Sequence, residues 1–149
     1  MSTNYYFVNK QSKIEVEEFN NKLTNLFEGF SYQLKQLGVE DTLSIELEKW
    51  MYEKQEERIH IGKRSMGWIP LFEANYDHFD SMKKMKDWYS KNQNNYTIEN
   101  EYEKELTWNE LEEELISWQG EKTHIGLSGH YSGYYNDEDG YEWTRGEFS

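Results

Sequence analysis

Arg58-Ile59-His60-Ile61-Gly62-Lys63-Arg64-Ser65-Met66-Gly67-Trp68 is the stretch on which the fold turns. Ile59 and Ile61 alternate with Arg58, His60 and Gly62, the period of a strand with one buried face. The polar cluster Lys63, Arg64 and Ser65 follows where a turn is expected, bracketed by Gly62 and Gly67. Gly67-Trp68-Ile69-Pro70-Leu71-Phe72 then reads as a partner strand, completing a hairpin. The chain's one proline, Pro70, predicts an edge or a bulge there.

Upstream, residues 1–11 read as a short leader in which Tyr5, Phe7 and Val8 supply an edge strand. Ser12 and Glu15 have capping-box spacing. From there Ile14, Phe19, Leu23, Leu26, Phe27, Phe30, Leu34 and Leu37 recur at three- and four-residue intervals as far as Gly38, a suitable residue to end a helix. That stripe is wide enough to pack on a sheet or on a partner subunit, and core packing is the expectation. Residues 42–57 mix strand and helix signals through Leu43, Ile45, Leu47, Trp50 and Met51; a second helix is favoured.

Downstream, Ser81 caps a short helix with Met82, Met85, Trp88 and Tyr89 facing inward and Lys83, Lys84, Lys86 and Lys91 outward. Tyr96 to Leu106 holds two short strands. Thr107 and Glu110 repeat the capping-box spacing ahead of a helix striped by Trp108, Leu111, Leu115 and Trp118. Asp139-Gly140 marks a turn between Tyr134-Tyr135 and Tyr141-Glu142-Trp143, a final hairpin. The expected fold is α+β: a long N-terminal helix and two or three shorter helices on a small, mainly antiparallel sheet. Residues 1–149 form a single domain in this reading, with 1–57 a helical N-terminal addition and 58–149 the motif-bearing core.

Only 36% of the 149 residues are apolar, yet 17% are aromatic, so the core is expected to rest on Trp, Tyr and Phe. The absence of cysteine excludes disulfides, thiolate metal sites and a cysteine nucleophile. No run of about 18 apolar residues and no basic-then-apolar leader is present, so neither a membrane span nor secretion is expected. The net charge of −13 is uneven: residues 1–48 carry 4 basic and 8 acidic groups (−4), 49–92 carry 9 and 7 (+2), and 93–149 carry 3 and 14 (−11). That balance argues against direct nucleic-acid binding, which needs cations to displace counterions.

Three chemistries are open to such a chain. His60, Lys63, Arg64, Ser65 and Trp68 supply charge, donors and a stacking ring for a nucleotide or other anionic small molecule. Neither a phosphate-binding P-loop nor a dinucleotide fingerprint accompanies them, and an ordinary hairpin with solvated cations and a core Trp68 is the favoured reading. His60, His124 and His130 with Asp137, Asp139 or Glu147 offer metal ligands, but none share the H-x-x-x-H spacing, so no metal and no cofactor are expected. Ser65 or Ser128 beside a histidine does not amount to a catalytic assignment. Glu110, Glu113 and Glu114, extended by Asp137, Glu138 and Asp139 and by Glu101, Glu103 and Glu105, present carboxylates at spacings that imitate a phosphate array. Such a surface suits the basic groove of a nucleic-acid-handling protein.

His60-Ile61-Gly62-Lys63-Arg64-Ser65-Met66-Gly67-Trp68, with Gly146-Glu147-Phe148-Ser149, resembles a family of small bacteriophage proteins of unassigned activity. Its members carry H-I-G-K-S-S-x-G-W near the start and G-[DE]-F-S at the end. The resemblance spans residues 58–149; Arg64 stands where the family has serine, and Met66 fills the variable place. It implies a phage source, the cytoplasm of an infected bacterium as location, and a role in host takeover or counter-defence. The leading expectation is therefore a non-enzymatic inhibitor of a host protein, binding through the acid surface, possible also as a homodimer. The alternative is a nucleotide-binding protein using the His60–Trp68 turn.

Overall fold

The computed structural model describes residues 2–40, 43–118 and 133–146. They form an α+β fold in two compact units, the sheet unit of residues 1–8 and 58–149 and a helical unit of residues 9–57.

The sheet unit begins with β1 (Ser2–Asn9), which is no edge strand. The seven strands run in the order β5-β4-β1-β2-β3-β7-β6, and Tyr5, Phe7 and Val8 are fully buried. Three apolar residues at the start of a chain look like a frayed leader only while their partners are out of view. Since β1 pairs with β2 (Arg58–Ser65), the helical unit is an insertion between two neighbouring strands rather than an N-terminal addition.

β2 pairs antiparallel with β3 (Leu71–Glu73), and β3 pairs parallel with β7 (Glu142–Thr144), itself antiparallel to β6 (Tyr134–Asn136). β4 (Tyr96–Asn100) and β5 (Glu105–Leu106) are antiparallel. Pro70 lies just before β3, an interior strand, so it marks a strand start and not a sheet edge. The terminal hairpin turns at Gly140, whose φ of 85° suits glycine.

One face of the sheet is covered by helices. Phe7, Ile59, Ile61, Phe72, Ile98 and Trp143 pack there with Phe79, Met82, Met85, Leu111 and Leu115. Ser81 caps its helix (Met82–Asn92) by accepting from the Lys84 amide, and Thr107 and Glu110 form the expected capping box before Trp108–Leu111. That helix continues as a π-helical turn, Glu112–Ile116, which ends beside β2.

In the helical unit, α1 (Lys10–Gln36) starts three residues earlier than the Ser12 spacing predicts. Asn9 is the cap: its Oδ1 accepts from the Ser12 amide, while Ser12 Oγ donates to the Asn9 carbonyl and accepts from the Glu57 amide. The helix closes in a Schellman motif, with the Val39 amide on the Leu34 carbonyl, the Gly38 amide on Lys35 and Gly38 at φ 74°. α2 (Leu43–Met51) is the favoured second helix, and Phe27 meets Trp50 edge-on. The expected core packing of α1 does not occur. No residue of α1 is buried.

Candidate functional site

β2 does not stop at Gly62; it runs on to Ser65. Successive residues of a strand point to opposite faces, so the polar cluster is divided. The register adds a second effect: Tyr5 sits opposite Gly62 and Tyr6 opposite His60, leaving Ile61 as the extra residue of a bulge. His60 and Lys63 thereby come to the same face, away from the helices, although an odd spacing separates them. Arg64 goes to the helix-covered face. Its Nη1 donates to the Glu114 carbonyl at 2.7 Å, and its guanidinium lies 4.4 Å from the Trp118 ring centroid.

Gly62 controls how closely β2 approaches β3. A Cβ there would lie 2.5 Å from the Leu71 carbonyl oxygen and 3.1 Å from Phe72 Cα. Only glycine permits that contact. The close approach sets Lys63 opposite Leu71, and Leu71 opposite Glu142 on β7. A cation, an apolar side chain and a carboxylate thus form one row across three strands, the two charged ends roughly 10 Å apart at the usual strand spacing.

This row floors a pocket of about 210 Å³ lined by Lys63, Ser65, Trp68, Ile69, Leu71, Tyr134 and Glu142. Trp68 remains 40% exposed, whereas Glu142, in the same lining, is 2% exposed. The arrangement offers a donor at Lys63, an acceptor at Glu142, an apolar floor at Leu71 and aromatic surfaces at Trp68 and Tyr134. Those features suit a small planar ligand with both donors and acceptors.

Of the five residues expected at an anion site, the pocket gathers Lys63, Ser65 and Trp68. Arg64 is on the other face, and His60 faces a neighbouring group: its Nε2 is 3.0 Å from Asn4 Oδ1 and its Nδ1 3.6 Å from Glu73 Oε1. Tyr6 packs on the His60 ring and beneath the Arg58 guanidinium, which lies 4.0 Å from the fully buried Glu99. His124, Ser128, His130 and Glu147, and the His124-Ile125-Gly126 echo of the motif, fall outside the described residues. Among the described residues no three ligand-type side chains converge on a metal position.

The acid residues divide as well. Asp137 organises the terminal hairpin: Oδ2 accepts from the Met82 amide and Trp143 Nε1, and Oδ1 from the Asp139 and Tyr141 amides. Glu110 is held in the capping box. Glu114 accepts from the Tyr5 hydroxyl and lies 3.7 Å from Lys104 Nζ. Glu138 shares a shallow groove with Lys83, Lys84 and Lys86. Internal bonding thus engages three of these six, Glu110, Glu114 and Asp137. Glu113 and Asp139 are exposed, and with them Glu101, Glu103 and Glu105.

The pocket's missed members are Ile69, Leu71, Tyr134 and Glu142. The signal for Glu142 was present in Tyr141-Glu142-Trp143, a carboxylate alternating with large aromatics in a strand, but its partners are distant in sequence. Fold and site together define an α+β sheet protein with a small amphoteric surface pocket. No family model, curated protein or solved structure matches the chain.

Proposed function

We propose that the pocket between Lys63 and Glu142 binds a small planar heterocycle of the nucleobase class, free or as part of a nucleotide. The carrying observation is the convergence of Lys63, Ser65 and Trp68 with Tyr134 and the buried Glu142 in one pocket. Trp68 gives a stacking face, worth about 1–3 kcal/mol per base in single-base contacts. Glu142 accepts from ring or exocyclic N–H groups, and Lys63 donates to a carbonyl or phosphate oxygen. The volume of about 210 Å³ is below the ~300–1,000 Å³ of drug-sized sites, which favours one ring system over a dinucleotide. In the setting that the phage-like motif implies, such a protein sequesters or processes a nucleotide signal of the host. Thermal-shift and calorimetric titration with nucleobases, nucleosides and mononucleotides tests this. A saturable shift that Trp68→Ala and Glu142→Gln each weaken about tenfold or more is expected; no response to any of these probes would reject the reading.

A second reading is a host-protein inhibitor acting through acidic surface, supported by the exposure of Glu101, Glu103, Glu105 and Glu113 around β5 and the helix after it. Its partner is a nucleic-acid-handling protein with a basic groove. Charge neutralisation of those four residues abolishes a salt-sensitive complex if this reading is right, and leaves nucleobase binding unaltered.

A further inference from the structure

The helical unit lacks what holds most helices in place. α1 is 27 residues long and none is buried, although helices in water draw most of their stability from packing an apolar face. Its apolar residues serve two separate lines. Thr24, Phe27 and Ser31 share a groove with Ser44 and Leu47 of α2, and Phe27 packs on Trp50. Val16, Phe19, Leu23, Leu26, Phe30, Gln33 and Leu37 form the other line, with strictly alternating three- and four-residue steps. Leu26 is 71%, Phe30 53% and Leu37 78% exposed.

Strict alternation of three- and four-residue steps gives a seam of period 3.5, the spacing that meshes with another helix. Val16, Leu23, Phe30 and Leu37 take the a positions of the heptad, and Phe19, Leu26 and Gln33 the d positions. Beside the seam, Leu23, Leu26, Phe27, Phe30 and Trp50 line an apolar groove of about 360 Å³, able to receive side chains from an opposing helix.

We propose that α1 pairs in parallel with α1 of a second copy of this chain, along the Val16–Leu37 seam. Two features select this occupant. Gln33 is the seam's polar position; in a parallel, in-register pair it meets its own copy and the two amides bond, whereas an antiparallel pair sets it against Val16. Single polar core residues fix register in this way. Flanking positions Glu15 and Lys22 face Asn20 and Phe27 of the other helix, so no like charges oppose one another. Secondly, the area suffices. A seam about 33 Å long at ~1.5 Å per residue, covering about half the girth of a helix ~11 Å across, buries on the order of 600 Å² per protomer, or roughly 1,200 Å² in all, the lower bound for specific interfaces of ~1,200–2,000 Å². Trp50 adds to this.

Sedimentation velocity of the full chain over a range of concentrations tests the pairing. Twice the mass of one chain is expected, and Leu26→Glu, at a position already exposed within one copy, should weaken association at least tenfold while circular dichroism stays that of a folded protein. Because the chain has no cysteine, Gln33→Cys provides the register test: mild oxidation should give a covalent dimer, since facing core positions approach disulfide range. A monomer at every concentration, including one that captures a different protein on this face, overturns the proposal. So does a dimer indifferent to Leu26→Glu, or one that Gln33→Cys fails to cross-link.

Discussion

Lys63 and Arg64 are neighbours in the chain, yet they stand on opposite faces of the sheet, Lys63 in the pocket and Arg64 bonded to the Glu114 carbonyl. Their substitutions therefore separate binding from stability. Arg64→Ala removes a charge-assisted hydrogen bond and the contact with Trp118, at a cost of about 1.5–3 kcal/mol in urea denaturation. Arg64→Lys recovers little of it, because an ammonium lacks the flat stacking surface of guanidinium. Lys63→Ala acts mainly on affinity, weakening nucleobase-class ligands about tenfold with a smaller change in denaturation midpoint. Equal losses of affinity from both alanine variants would contradict this division.

Two glycines should respond in opposite directions. At Gly62 a methyl group meets the Leu71 carbonyl at 2.5 Å, so Gly62→Ala forces β2 and β3 apart. The expected loss is about 1–3 kcal/mol, the range for overpacking, with lower pocket affinity because the Lys63–Leu71–Glu142 row is displaced. Gly29 is inside α1 with nothing within 4 Å of an added Cβ. Gly29→Ala therefore raises stability, by up to about 1 kcal/mol from helix propensity. Thermal denaturation of both variants checks the pair of signs.

The strand through Gly62 was legible from the alternation of Ile59 and Ile61, and the Ser81 and Thr107 caps from local spacing, because these depend on near neighbours. Asn9 was missed as a cap since Ser12 and Glu15 imitate one three residues further on; the bond that holds Ser12 in place instead joins it to Glu57, far along the chain. The central position of β1 rests on its partners in β2 and β4, which no local pattern reveals. For the site, residue types in Lys63-Arg64-Ser65 were informative, but facing was not: it depends on where β2 ends and on the bulge at Ile61. Glu142 reaches Lys63's pocket only through the parallel pairing of β3 with β7.

Tyr5 gives the fold a sensitivity to alkali. Its phenol is fully buried and donates to Glu114, and burial is the main cause that pushes its pKa from 10.0 up to about 12, opposed by Arg64 and assisted by Glu114. The folded state prefers the neutral phenol. Its contribution is complete below pH 10 and is lost as pH rises toward about 12, amounting to on the order of 2–3 kcal/mol by linkage. Tyr135, raised by burial to about 12 as well, titrates in the same window. Denaturation midpoints should fall steeply over that interval, and Tyr5→Phe should flatten the fall. An unchanged slope in Tyr5→Phe would assign the alkaline loss elsewhere.

Asp137 has the most to lose among the carboxylates once read as partner contacts. One oxygen joins the first amide of the Met82 helix to the indole of the buried Trp143, and the other closes the turn through the Asp139 and Tyr141 amides. Removing the side chain leaves donors from three elements without their acceptor, including a tryptophan N–H next to the core. Each unsatisfied buried donor costs about 1–3 kcal/mol, so Asp137→Ala should destabilise by about 3 kcal/mol or more, with a red shift of Trp143 emission as solvent reaches the ring. Asp137→Asn keeps one acceptor oxygen and should recover part of the loss. By contrast Asp139→Asn, at an exposed position beside the same turn, should alter stability by less than about 0.5 kcal/mol. Comparable losses at 137 and 139 would mean that the turn is held by charge, and not by the directed hydrogen bonds of Asp137.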